Sequence, residues 1–259
     1  MDKTPPPTLA GVSTAHPLAK SLRHWPGLSK IGAPLREPVL GEVCAAAPEL
    51  LDLGAQPPLA PSLSRACEAL AGALPAGMSL RGLGSRAGDR QAIYDHWMGL
   101  GADSLRMRFF IMPSPWILRQ RAFDLDFENP RFAGIFDESG ELACLAEWAH
   151  CDLEGGGGKA EAAFSTSPAH RRKGLAKIAA AACALDARDN GIVALRIDTL
   201  RENHAAQHLA ASLGGAREAS SAANMGDPLS SVIDLTASGP TSIESRMGLQ
   251  SSPSTVSRA

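Results

Sequence analysis

The 259-residue chain has a formal net charge of −2 and is 44% hydrophobic, a balance ordinary for a globular protein. The near-neutral charge argues against a nucleic-acid-binding protein, which normally carries a basic excess, and no apolar run approaches the length needed to span a bilayer. The five cysteines, at 44, 67, 144, 151 and 183, are scattered and odd in number. That suits reduced, buried thiols in a cytoplasm better than a disulfide framework. The start, Met1-Asp2-Lys3-Thr4-Pro5-Pro6-Pro7, lacks the apolar core of a signal peptide, so the expectation is a cytoplasmic protein.

Residues 1–77 are rich in Pro, Ala and Gly, and prolines such as Pro34, Pro38, Pro48, Pro57, Pro58 and Pro61 interrupt regular structure by fixing φ and removing a donor. This region reads as a partly disordered extension. Within it, Leu63, Cys67, Leu70 and Leu74 share a helical stripe, and a helix there is expected to dock on the main domain. Residues 78–237 form the predicted domain. Met78 to Leu83 reads as a strand and Arg86 to Leu100 as a helix, with Ile93, Trp97 and Leu100 at helical spacing. Asp103 to Phe110 reads as a second helix, continued by Trp116 to Gln120 after Pro113 and Pro115. Phe132 to Phe136 and Leu142 to His150 are strands, joined through Asp137-Glu138-Ser139-Gly140, which is turn chemistry for a hairpin.

Gly155 to Gly158 predicts a flexible loop, Glu161 to Thr166 a strand, and Gly174 to Arg188 an amphipathic helix whose stripe is Leu175, Ile178, Ala182 and Leu185. Its alanines favour the helix and a close approach to a sheet, and Asn190-Gly191 stops it. Ile192 to Leu200 is a strand, Asn203 to Leu213 a helix stopped by Gly214-Gly215, and Arg217 to Ser220 and Ser231 to Leu235 closing strands. The expected fold class is α/β (α+β): a mixed sheet with helices on both faces. Residues 238–259, rich in Ser, Thr and Pro, read as a flexible tail.

The chemistry concentrates before the alanine-rich helix. Arg171-Arg172-Lys173 stands just ahead of Gly174, and cations at a helix N-terminus oppose the macrodipole unless an anion lies between them. Free N–H groups of the first turn donate well to phosphate, and Gly174 and Ala176 keep side chains out of the way. The segment suits a diphosphate cradle. Its local chemistry suits a solvated basic loop equally well, since short Gly-containing loops are common. No GxxxxGK[ST] pattern is present, so it is not a P-loop.

Arg171-x-x-Gly174-x-Ala176 resembles the Arg/Gln-x-x-Gly-x-Gly/Ala signature of the GCN5-related N-acetyltransferase (GNAT) superfamily. Ala160-Glu161-Ala162-Ala163-Phe164-Ser165-Thr166 resembles the preceding strand of bacterial protein-lysine acetyltransferase-like members. Asn203, Ala206, Leu209 and Leu213-Gly214 resemble a later family helix, and Asp103 to Phe110 resembles an early segment of the same members. The resemblance implies a mostly antiparallel central sheet and acetyl-CoA as co-substrate. It assigns cofactor contacts to Phe164, Ser165 and Thr166 on the strand, to Arg171, Arg172, Lys173, Gly174, Leu175 and Ala176 in the loop, and to Asn203 in the later helix. It further implies acetyl transfer to a primary amine, a protein lysine or a small molecule, by direct attack in a ternary complex.

An amine near pH 7 is mostly ammonium and must lose a proton before attack, which a carboxylate can accept. Glu161 leads as that base, matching the family's glutamate, and Glu147, between Ala146 and Trp148, is second. A strand N–H would serve the oxyanion. The family's thiolate-protonating tyrosine falls at position 210, which is Ala210 here, so water is expected to protonate the thiolate. His204 and His208 point away from that direction and toward solvent. The alternative reading is a domain that binds acyl-CoA without turnover; a third is an interaction protein acting through residues 1–77 on a GNAT-like core. Arg106, Arg108 and Arg119 mark either a substrate groove or a solvated helix face. No metal is expected, since no ligand spacing such as HExxH occurs. The expected partners are acetyl-CoA and an amine acceptor, without nucleic acid or membrane, and a homodimer is allowed.

Overall fold

A computed structural model describes residues 60–84, 86–125, 127–151, 158–218, 228–237 and 242–248. Among the described residues the sheet has seven strands: β1 (Ser79–Gly82), β2 (Arg131–Phe136), β3 (Leu142–His150), β4 (Lys159–Thr166), β5 (Ala194–Thr199), β6 (Ala216–Arg217) and β7 (Leu229–Asp234), in the order β1-β2-β3-β4-β5-β7-β6. Only β4 and β5 pair in parallel; every other neighbouring pair is antiparallel. The helices are α1 (Pro61–Leu70), α2 (Asp89–Met98), α3 (Ala102–Phe109), α4 (Pro115–Phe123), α5 (Leu175–Asp189), α6 (His204–Ser212) and α7 (Ile243–Arg246). This is the mixed, mostly antiparallel sheet that the sequence predicts.

Alternation along β3 sorts the helices to two faces. Trp148 points toward α5, where its Nε1 donates to Asp186 (2.8 Å), and Glu147 points the other way to Arg108 of α3 (2.7 Å), as successive residues of a strand must. Helices α1, α5 and α6 lie on the Trp148 side, and α2 and α3 on the Glu147 side, with α4 packed on α2. The β2–β3 hairpin turns where expected: Asp137 Oδ1 accepts from the Ser139 N–H (3.0 Å), the Ser139 hydroxyl (2.6 Å) and the Glu141 N–H (3.0 Å).

Helix α5 is buried around almost its whole girth from Ile178 to Ala187, beyond the single predicted stripe. Its small side chains let the sheet approach from one side and α1 from the other, where Leu63, Ala66, Cys67 and Leu70 join the core. The core also takes in Ile243 of α7, so it extends past both ends of 78–237. One buried acid ties these layers. Asp186, with no exposure, accepts from the Ser62 hydroxyl (2.6 Å), Arg131 Nη1 (3.2 Å), Trp148 Nε1 (2.8 Å) and Asn190 Nδ2 (3.1 Å). Burying a carboxylate is tolerable only with such pairing and hydrogen bonding.

One local reading changes. Trp116 to Gln120 does not continue the helix before it. Phe110 has φ +60, which ends α3, and Ser114 with Pro115 at the first position starts α4 anew, the Ser114 hydroxyl accepting the Ile117 N–H (3.4 Å). Most of the loop expected at Gly155 to Gly158, and residues 1–59 and 249–259, lie outside the described residues. Among the described residues, no helix is long and apolar enough to cross a membrane.

Candidate functional site

Strands β4 and β5 pair only at Lys159↔Ala194, Ala160↔Leu195 and Glu161↔Arg196. Both then continue, but β4 stays with β3 and β5 with β7, so the sheet opens beyond Glu161. The Ser167 N–H to Ala143 C=O bond (2.9 Å) and the Cys151 N–H to Lys159 C=O bond (3.2 Å) fix the phase of the β3–β4 ladder. Odd-numbered residues of β4 bond to β3, and the backbone groups of Ala162, Phe164 and Thr166 face the opening. A cavity of about 620 Å³ fills it. Its walls are β4 from Ala162, β5 from Ile197, the first turn of α5, one face of α6, and Ser104, Met107 and Arg108 of α3.

At one end stands the basic loop. Gly174 has φ +79 and Arg172 φ +63; the left-handed conformation favours glycine at 174, where an added Cβ would meet nothing within 4 Å. No side chain caps α5, which leaves first-turn N–H groups available to an anion. Arg171 and Arg172 border the cavity beside Gly174, Leu175 and Ala176, whereas Lys173 does not line it. Arg171 is held by Ser104, whose hydroxyl accepts from Nη2 (2.7 Å), and by the Thr166 carbonyl, which accepts from Nε (3.4 Å). Asn203 lines the cavity and caps α6, its Oδ1 accepting the Ala206 N–H (3.2 Å).

Glu161 sits where the strands part, next to the cavity wall. Burial, followed by the negative charge of Asp198, raises its pKa above the ordinary carboxylate value; Arg196 and Arg108 act against the shift. Glu147 lies on the same face but is buried against Arg108 (2.7 Å), with Arg121 at 3.9 Å. It is the counter-ion of those guanidiniums, and its Oε2 has no hydrogen-bond partner among the described residues.

Three features escape a linear reading. Asp198 lines the cavity and accepts from Arg196 Nε (2.8 Å), Arg196 Nη2 (2.6 Å) and the Ser230 hydroxyl (2.6 Å). His96, isolated in sequence, is buried, with Nδ1 2.7 Å from the Leu142 carbonyl and Nε2 2.8 Å from Ser165 Oγ; burial pushes its pKa down to about 4. Both partners lie far along the chain. Third, α6 turns Ala205, His208, Leu209 and Ser212 to the cavity, a stripe at helical spacing. Ala210 is fully buried in the core instead, and His208 is both exposed and part of the wall. The arginines of the predicted groove separate. Arg108 lines the cavity, Arg106 pairs with Glu202 at the surface (2.8 Å), and Arg119 lies over the Phe123 ring (5.0 Å).

Residues 102–214 match the family model described as Acetyltransferase (GNAT) family. Comparison with curated proteins gives no match. Among solved structures, the chain is similar to the GNAT domain of PAT from S. lividans, with 18% identity and a TM-score of 0.52 over 61% of this chain and 90% of that one. It is also similar to yncA from Salmonella typhimurium, solved with its cofactor acetyl-CoA (17% identity, TM-score 0.49, 62% of this chain and 96% of that one). A third is the spermidine N-acetyltransferase from Vibrio cholerae in complex with CoA and spermine (17% identity, TM-score 0.48, 62% and 98%). The likeness to the S. lividans domain is one of fold.

Proposed function

Residues 102–214 match the family model described as Acetyltransferase (GNAT) family, and from that match we propose that the protein is a GNAT-type acetyltransferase that moves an acetyl group from acetyl-CoA to a primary amine, with Glu161 as the base. The observation that carries this reading is the placing of Glu161: a carboxylate with a raised pKa at the apex of an open sheet, beside a cavity whose far end is a basic helix N-terminus. A raised carboxylate pKa suits a general base, because its driving force for taking a proton increases.

The diphosphate lies at the first turn of α5 with Arg171 and Arg172, and the carrier arm runs along the free edge of β4 at Ala162, Phe164 and Thr166. The ammonium of the acceptor, a protein lysine or a small amine, loses its proton to Glu161, directly or through water. The amine nitrogen then bonds to the acetyl carbon, the oxyanion is met by a β4 N–H, and as the nitrogen gives up its second proton to solvent the carbon–sulfur bond breaks, leaving the amide and CoA thiolate. Ala210 turns into the core and supplies no acid, so solvent protonates the thiolate. Ser165 plays no main-chain part in holding the arm, since its backbone is on the β3 side of the ladder.

Thiol release on incubating the protein with acetyl-CoA and a panel of amines and lysine peptides tests the reading. Turnover with one class names the acceptor. Tight acetyl-CoA binding without turnover on any member supports the alternative, a non-catalytic acyl-CoA-binding domain, which the acid-free position 210 favours.

A further inference from the structure

We propose that the Ser165 hydroxyl is a hydrogen-bond acceptor for an amide N–H of the acyl-CoA arm, and that His96 is the positioning residue that makes it one. The inference rests on the reading of the cavity as an acyl-CoA site. It begins at the Leu142 carbonyl, which can only accept. His96 Nδ1, 2.7 Å away, must therefore carry the ring proton of the neutral imidazole. Nε2 is then a bare lone pair facing Ser165 Oγ at 2.8 Å, and the hydroxyl proton is drawn to it.

The hydroxyl has thereby spent its one donor, and no other hydrogen bond among the described residues engages Oγ. Ser165 forms part of the cavity wall, so what it offers there is lone pairs alone. A free serine rotates to suit donors and acceptors equally; this one is set to receive N–H. The setting holds wherever the imidazole is neutral, and the burial of His96 keeps it neutral from about pH 5 upward. Along β4, Ser165 lies between the apex at Glu161 and the basic loop at Arg171. That is the stretch a carrier arm would cover, and its N–H groups are amides.

The low pKa also argues against making Ser165 a nucleophile. A ring that resists becoming imidazolium, with a neutral carbonyl rather than a carboxylate behind it, is a poor base for removing the hydroxyl proton. The pair is built to orient a hydrogen bond, not to transfer a proton.

The test is calorimetric binding of acetyl-CoA and of adenosine 3′,5′-diphosphate, which lacks the arm. Ser165→Ala is expected to weaken acetyl-CoA binding about 3- to 10-fold, the range of one neutral hydrogen bond, and to leave the nucleotide fragment unchanged. His96→Leu is expected to cost the same in the Ser165 background and nothing further in Ser165→Ala. His96→Gln, which keeps an N–H for Leu142 and an oxygen for the hydroxyl, is expected to restore most of the affinity. Unchanged acetyl-CoA binding in Ser165→Ala overturns the proposal whether or not the His96 variants fold. An equal loss from His96→Leu with and without the Ser165 hydroxyl overturns the positioning role and leaves a packing role. A wild-type protein that binds neither probe refutes the acyl-CoA site itself, a distinct failure.

Discussion

The two faces of β3 each bury an acid, and they treat it oppositely. On the α5 face, Asp186 receives hydrogen bonds from α1, β2, β3 and its own helix, with Arg131 as counter-charge. On the α3 face, Glu147 answers Arg108 and Arg121 with one oxygen and leaves the other without a hydrogen bond among the described residues, while Glu161 is left with a raised pKa. A fully satisfied buried charge is scaffolding, because nothing in its surroundings changes when it acts. Glu161, whose pKa is raised by burial and by Asp198, is the acid on this face suited to take a proton.

The sharpest way to break this comparison is to exchange the outcomes of two substitutions. Glu161→Gln is expected to lower kcat by about 10²- to 10⁴-fold while leaving acetyl-CoA affinity unchanged in a binding titration. Asp186→Ala is expected to destabilise by about 3–5 kcal/mol, since it leaves Arg131 without its buried partner, and denaturant unfolding measures it. If Asp186→Ala unfolded no more readily than wild type while losing turnover, the division into scaffold and chemistry would be wrong.

The pH dependence sharpens the same contrast. Glu161 must be ionised to accept a proton, so kcat/KM measured from pH 5 to 9 should fall on the acid side through a pKa above the ordinary carboxylate value. Its stability effect has the opposite sense. A raised folded-state pKa means that the folded state binds the proton more tightly, so this residue lowers stability as pH rises from the unfolded value through the folded one. Glu161→Gln is therefore expected to be neutral or stabilising at pH 7.

At the basic loop, Arg172→Glu is expected to weaken acetyl-CoA binding about tenfold or more, as loss of a charged hydrogen bond would, and Lys173→Glu to do less, because Lys173 does not line the cavity. The smallest effect belongs to Asn203→Ala. Loss of the α6 cap should cost about 1 kcal/mol in thermal unfolding, with little change in turnover.

What the sequence made legible was local. Alternation placed β3 to the residue, the Asp137 turn declared its hairpin, and Asn203 announced the start of α6. The alanines of α5 signalled close packing, but they could not say that α1 would close the other side, because a stripe names a buried face and not its partner. His96 carries no pattern of its own; its meaning comes from Ser165, 69 residues away. Asp198 sits in an ordinary alternating strand, and only the departure of β4 from β5 leaves it lining the cavity. Position 210 shows the same limit. A motif fixes which residue is present, whereas the rotation of α6 fixes what it faces, and here the cavity stripe runs through His208.

The parting of β4 from β5 has a consequence for spacing. Exposed strand edges normally invite other chains to add to them, but this edge lies inside the molecule, walled by α3, α5 and α6. Groups presented by alternate residues repeat at about 6.6 Å along a strand, so under the proposed acyl-CoA reading the edge would work as a ruler, favouring molecules whose polar groups repeat at that spacing.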